Sequence, residues 1–263
     1  KLCYSAVFDL DEEGKVHHEW YGRTVIHSDR QFSYEEVQQI IEEKKGDLVD
    51  IILPIHHIAQ KLRQKRIENH AINFETKEVK FVLDDEGKPI DVVIKESKEA
   101  NFLIEELMLL ANKKVAEKIG KVTQKEKEVK TFVYRVHDEP ITDKLEQFKL
   151  FSHKLGYEIK TTSRRALVSS FNHLFEETKS SGEYDMMSHL IVRLMARAVY
   201  STNNIGHYGL AFPYYTHFTS PIRRYPDLMV HRLFDAYLKN KQSVNKEEYE
   251  NYCKHASQME QKA

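Results

Sequence analysis

Only nine glycines and six prolines interrupt this chain of 263 residues. Glycine stands at about half its usual share. Few breakers mean long uninterrupted elements, most of them helices. Apolar positions confirm the period. Ile104, Met108, Ala111, Val115 and Ile119 recur at helical spacing, which predicts a helix over 98–119 with one apolar stripe, closed by Gly120 just past its end. Ser33 and Glu36 form a capping box that opens a helix at 34–43. Pro54 stands early in a second helical pattern reaching about residue 69. Further helices are predicted near 142–155, 164–178, 184–200, 226–239 and 246–262.

Strands fill the remainder. Residues 3–9 and 16–27 flank Asp11-Glu12-Glu13-Gly14, a turn signal, and so form a hairpin. Asp9, Asp11, Glu12 and Glu13 resemble a metal cluster, but turn chemistry with a glycine exit accounts for them better. Residues 71–75, 79–84 and 89–96 read as strands, the last two joined at Asp85-Glu86-Gly87-Lys88. Residues 131–137 form another, and 206–218 a strand or extended segment. The class is α+β with helices dominating, in one continuous domain.

Several functions are excluded or disfavoured. No apolar run approaches the ~20 residues of a membrane helix, and residues 1–10 are no signal peptide because the apolar stretch runs into Asp9 and Asp11. The chain is read as cytoplasmic, and as a monomer with no small-molecule cofactor. Two cysteines, Cys3 and Cys253, form no CxxC pair, which removes a thiolate zinc site. His56 and His57 are adjacent, point apart on a helix, and are packing or surface residues. A net charge of −1 argues against holding nucleic acid by overall charge, though not against a basic channel. Two basic groups, Lys61/Arg63/Lys65/Arg66 and Lys113/Lys114/Lys118/Lys121, read as solvated helix faces.

One segment stands apart. Residues 206–232, GHYGLAFPYYTHFTSPIRRYPDLMVHR, hold six aromatic rings between Tyr208 and Tyr225, three prolines and the pair Arg223-Arg224. Ser220-Pro221 is an N-cap and N1 signature, and Pro226 forces a second start or a kink. Arg223 therefore sits in a constrained turn near a helix N-terminus. A guanidinium there offers a permanent charge and a planar fork of donors to phosphate oxygens. The alternative is a structural pair, with Arg223 or Arg224 held by Asp227 or another carboxylate. Nearby rings favour nucleic acid, because single strands are held by stacking as well as by charge.

TSPIRRYPDL with His231-Arg232, and GHYGLA before it, closely resemble the signature of the RNB family of 3′-to-5′ exoribonucleases, in a form nearer ribonuclease R than ribonuclease II. AINFE at 71–75 with the following KFVLDDEGKPIDV, ANFLIEELMLLAN at 100–112 and FVYRVHDEP at 132–140 resemble further blocks of the family, in family order. The resemblance implies an α+β catalytic domain around a channel that admits one strand, and removal of 5′-nucleotides from the 3′ end of single-stranded RNA by magnesium-assisted hydrolysis. Arg223 matches the signature arginine at the scissile phosphate. Phe74 matches the aromatic that bounds the stack of 3′-terminal bases, and would otherwise be a core ring on its strand. Glu105 matches an acidic residue that contacts the bound nucleotides, and would otherwise be a surface glutamate. His207, Tyr208 and Arg224 are further candidates for lining the site.

The family's cluster of four aspartates that holds magnesium has no counterpart here. That departure implies that residues 1–263 are a partial RNB domain, incomplete at its N-terminal side, with cold-shock and S1 modules absent and no hydrolysis by this piece alone. A non-catalytic RNA-binding module and a helical interaction scaffold of the same architecture remain open alternatives.

Overall fold

The computed structural model describes residues 1–74, 77–121 and 129–263. The chain begins with a long hairpin, β1 (Leu2–Leu10) and β2 (Val16–Val25), paired antiparallel. Its turn is built as the sequence predicts. Asp11 accepts from the Lys15 N–H at 2.8 Å and from His17, and Gly14 takes φ +71°, a conformation that suits a residue without Cβ.

Helix α1 (Tyr34–Glu43) carries the full Ser33/Glu36 capping box. Helix α2 (Val49–Glu68) starts earlier than its proline suggests, so Pro54 lies inside the helix rather than at its first turn. A second hairpin follows, β3 (Lys77–Leu83) and β4 (Pro89–Glu96), closed by Gly87 at φ +81°. Then come α3 (Glu99–Gly120), β5 (Tyr134–Val136), α4 (Thr142–Lys154), α5 (Arg164–Thr178), α6 (Tyr184–Leu194), β6 (Val199–Ser201), α7 (Tyr225–Leu238) and α8 (Lys246–Lys262). Strands β5 and β6 form a third antiparallel pair. The architecture is α+β, rich in helix, with small antiparallel hairpins.

Further expectations need correction. Residues 71–74 are not a strand but a pinned, irregular stretch; residue 75 lies outside the described residues. The helix expected to reach residue 200 stops at Leu194, since Val199–Ser201 pairs with β5. Of the two readings of residues 206–218, strand or extended segment, the strand is not formed, and only isolated bridges at His207 are present. The buried face of α3 is set by Leu103, Leu109, Leu110, Val115 and Ala116, while Ile104 and Met108 are two-fifths exposed. Gly120 is the last helical residue rather than a left-handed cap. A Cβ there would lie 2.6 Å from the Tyr214 ring and 2.9 Å from the Tyr134 hydroxyl, so close packing, not backbone freedom, requires glycine.

Neither basic group is a simple solvated face. Arg66 is buried against Glu106, Arg63 lies 3.6 Å over the Phe102 ring, and Lys113 sits 5.1 Å over Phe212, with burial lowering its pKa. Lys114 and Lys118 reach Glu19 on β2.

Two hydrophobic cores result. One joins the first hairpin to α3, β5, α7 and α8, around Phe132, Val230 and Phe234. The other joins α4, α5 and α6, around Phe171, Met187 and Ile191. The irregular stretch 208–218 spans both, with Tyr208 in the second core and Phe218 in the first.

Candidate RNA-binding and catalytic site

The turn before α7 is organised by one carboxylate. Asp227 is fully buried. Its Oδ1 accepts from the Ser220 backbone N–H at 2.7 Å and from Arg224 Nη2 at 2.9 Å. Arg224 Nε lies 2.8 Å from the other oxygen. Ser220 O in turn receives the N–H groups of Arg223 and Arg224. Residues 220–224 are therefore a tied turn, not a first helix start, and Pro226 opens α7. The choice left open by the sequence falls on Arg224, which is the structural partner of Asp227. Arg223 is exposed, and its side chain meets no carboxylate, carbonyl or ring among the described residues.

Behind this turn runs a ladder of rings. His137 and His207 lie 4.9 Å apart, His207 and Tyr215 5.3 Å, Tyr215 and His217 5.7 Å, and His217 and Tyr200 5.6 Å, centroid to centroid. The hydrogen bonds fix His137 as a neutral tautomer. Nδ1 accepts from the Gly209 N–H at 3.0 Å, so Nε2–H donates to Ala196 O at 2.8 Å. His207 Nδ1 likewise accepts from the Leu210 N–H. Burial, then the neighbouring His137 and Arg135, brings the His207 pKa down to about 3. Burial, then Arg224, brings His217 down to about 2. These imidazoles are uncharged near neutrality. They serve as wall and scaffold, not as general bases tuned to pH 7. Tyr208 is buried and docks through its N–H on His137 O.

Phe74 is reached from the same segment. Ile72 N–H donates to Gly209 O. On either side of Ile72 the Asn172 side chain acts like a strand edge, accepting from Asn73 N–H at 3.0 Å and donating to Ala71 O at 3.1 Å. Arg164 ties the two segments together, since its Nη2 donates to both His70 O and Tyr208 O. The Phe74 ring leans on Phe175 at 5.4 Å and lines a cavity of about 1380 Å³. Asn172 and Arg164 were invisible to sequence reasoning, because each acts on backbone 44 to 101 positions away. Asn172→Ala removes two hydrogen bonds and leaves their backbone partners short. A loss of about 1–3 kcal/mol is expected, read as a lower urea midpoint; an unmoved midpoint would show that the clamp carries no weight.

Glu105 is about half exposed, 3.5 Å from Arg66 Nη2, while its neighbour Glu106 is buried on the same guanidinium. Burial raises the Glu106 pKa against the pull of Arg66. The last turn of α2 connects Glu105 to the Phe74 segment, because Arg66 O accepts from Ala71 N–H and Arg63 reaches Asn73. Thus a chain of intervening contacts, through Arg66, Ala71, Ile72 and Gly209, connects Glu105 and the Phe74 segment to the stretch that carries His207 and Tyr208. Arg223 and Arg224 stand at the far end of the ring ladder. Neither Arg223 nor Glu105 lines the Phe74 cavity. Among the described residues no group of three His, Cys, Asp or Glu could hold a metal ion, both cysteines are free, and no helix is long and apolar enough to cross a membrane.

A helix-rich α+β domain that holds on a tied turn an exposed arginine with no partner among the described residues presents a guanidinium suited to a phosphate of a nucleic-acid strand. Residues 1–240 match the RNB domain family, and the chain belongs to that family of exoribonucleases. Ribonuclease R of Thermotoga maritima is 36% identical over 260 residues, covering 97% of this chain and 36% of that protein. The inactive exonuclease DIS3L2 of Arabidopsis thaliana is 35% identical over 272 residues, covering 94% of this chain and 25% of that protein. Among solved structures, Mycoplasma genitalium RNase R in complex with ribose-methylated single-stranded RNA superposes with a TM-score of 0.84 at 25% identity, over 99% of this chain and 42% of that one. The chain thus spans between a quarter and about two fifths of these proteins.

Proposed function

We propose that this chain is the strand-gripping and charge-stabilising part of the catalytic domain of a processive, sequence-independent 3′-to-5′ exoribonuclease that hydrolyses RNA to 5′-mononucleotides. The observation that carries this reading is Arg223, a free guanidinium on a turn that Asp227 and Arg224 hold rigid. A donor fixed in place before charge develops stabilises a transition state without reorganising. Phe74 supplies a stacking face, and stacking accepts any base. Contacts to phosphate and ring faces alone position a strand without reading it.

Magnesium is the metal that the resemblance implies. The described residues offer it no ligand set. The work assigned to this chain is to bind, to orient and to meet negative charge on the phosphoryl oxygens.

The test is direct. The purified chain should retain single-stranded RNA on a filter, with affinity falling as salt rises, yet release no mononucleotides from labelled RNA when magnesium is added. Magnesium-dependent release would overturn the assignment of the metal site to residues elsewhere. Failure to retain RNA would favour a scaffold. A second reading, RNA binding without chemistry, is favoured by the 35% identity to a relative that is itself an inactive exonuclease. An enzyme preparation containing this domain that binds RNA but never shortens it would establish that reading instead.

A further inference from the structure

The cavity beside Phe74 has a charge pattern of its own. Four cations line it, Arg135, Lys144, Arg193 and Arg197, against a single carboxylate, Glu260. Glu260 is already neutralised, because both its oxygens take hydrogen bonds from Arg135 at 2.7 and 3.1 Å. The chain as a whole carries −1, so this concentration of positive charge is local.

Arginine side chains in this protein are mostly occupied. Arg23, Arg30, Arg66, Arg135 and Arg224 hold carboxylates, Arg164 holds carbonyls and Arg63 covers a ring. Arg193 and Arg197 are exposed and, among the described residues, have no such partner. A helix-capping role does not explain Arg193, although it sits in the last turn of α6. That end is served by other donors: Lys144 Nζ reaches Arg193 O at 3.1 Å and the Ile141 N–H reaches Leu194 O at 2.9 Å. Arg197 rides on the short link between α6 and β6, which His137 pins at Ala196 O. Both guanidinium groups are thus carried on fixed backbone and left open to an anion.

The rest of the lining is apolar and aromatic, with Phe148 and Phe151 facing the same space as Phe74. At about 1380 Å³ the cavity exceeds the ~300–1,000 Å³ usual for a small-molecule site. Rings interleaved with cations over that length suit a polymer with flat apolar groups and one negative charge per unit. We propose that Arg193, Arg197 and Lys144 grip the phosphates of the single-stranded RNA whose bases stack at Phe74, making this cavity a second contact region distinct from the Arg223 turn. This rests on the reading above that the chain binds RNA.

The test uses the whole chain and a fluorescein-labelled oligoadenylate of ten nucleotides, with anisotropy recorded across a salt series. Each phosphate contact on a single strand contributes about 0.7 to the slope of log affinity against log salt. R193E/R197E should weaken binding at least about tenfold at low salt and flatten the slope by about 1.4, the loss of two such contacts. R193Q/R197Q should flatten it by a similar amount with less loss of affinity, and both variants should keep the circular dichroism of the unaltered chain. Phe74→Ala should weaken binding with the slope retained. If both arginine variants bind like the unaltered chain while Phe74→Ala or Arg223→Glu weakens binding, the phosphate grip by Arg193 and Arg197 falls and the RNA-binding reading stands. If the unaltered chain itself shows no salt-dependent binding, both fall together.

Discussion

Replacing Arg223 by alanine in the whole enzyme is expected to lower turnover about 10²–10³-fold, the usual cost of removing one preorganised donor to a developing oxyanion, and to leave RNA affinity within a small factor. The structure separates these two effects. The Arg223 side chain has no partner among the described residues, so its removal orphans no carboxylate and empties no packed volume. A substitution of that kind changes stability by no more than about 0.5 kcal/mol. On the proposed reading, ground-state binding is spread over Phe74 and the cavity, so one arginine contributes a minor share. Arg223→Lys keeps the charge but loses the planar fork, and is expected to recover only part of the lost rate. Single-turnover kinetics at saturating enzyme, beside equilibrium binding, decide the matter. Affinity falling in proportion, with normal hydrolysis of the bound RNA, would assign Arg223 to binding alone.

Local sequence signals predicted local structure well. The Ser33/Glu36 box, the Gly14 and Gly87 turns and the helices at 34–43, 164–178 and 246–262 were legible because their causes lie within a few residues. The errors share the opposite cause. Residues 71–74 have a strand composition, but the amide edge that holds them belongs to Asn172. Residues 195–200 continue an apolar pattern, yet β5 draws Val199–Ser201 into a pair. The stripe of Ile104 and Met108 was real in period but offset in face, because packing against α1 and α2 selects Leu103 and its neighbours instead. The basic groups looked solvated because their partners, Glu106, Phe102 and Phe212, lie on distant segments of the chain. For the site, a guanidinium in a constrained turn could be anticipated. Which of two adjacent arginines is free, and which unpaired arginines line the Phe74 cavity, are tertiary facts. The sequence left the first of these as an open pair of alternatives, and gave the second no signal at all.

Asp227→Ala is expected to be the most destabilising single substitution in the signature segment, at about 3 kcal/mol, the low end of the cost of breaking a buried ion pair. The low end applies because the Arg224 side chain keeps about a fifth of its surface exposed and so retains some hydration. The Ser220 N–H loses its acceptor as well. Asp227→Asn keeps an oxygen for that N–H and for Arg224, and should cost less. The sharper measurement is a double-mutant cycle by urea unfolding. Removing both charges with apolar residues of similar size, Arg224→Met with Asp227→Leu, leaves no unpaired ion, so the double variant should be more stable than the sum of the single losses predicts. In the whole enzyme, Asp227→Asn should also lower turnover more than affinity, although Asp227 itself is too deeply buried to touch RNA. It acts by fixing the turn on which Arg223 stands. Additive losses in the cycle would show that Asp227 and Arg224 do not depend on each other, and the rigid turn that makes Arg223 a preorganised donor would then lose its physical basis.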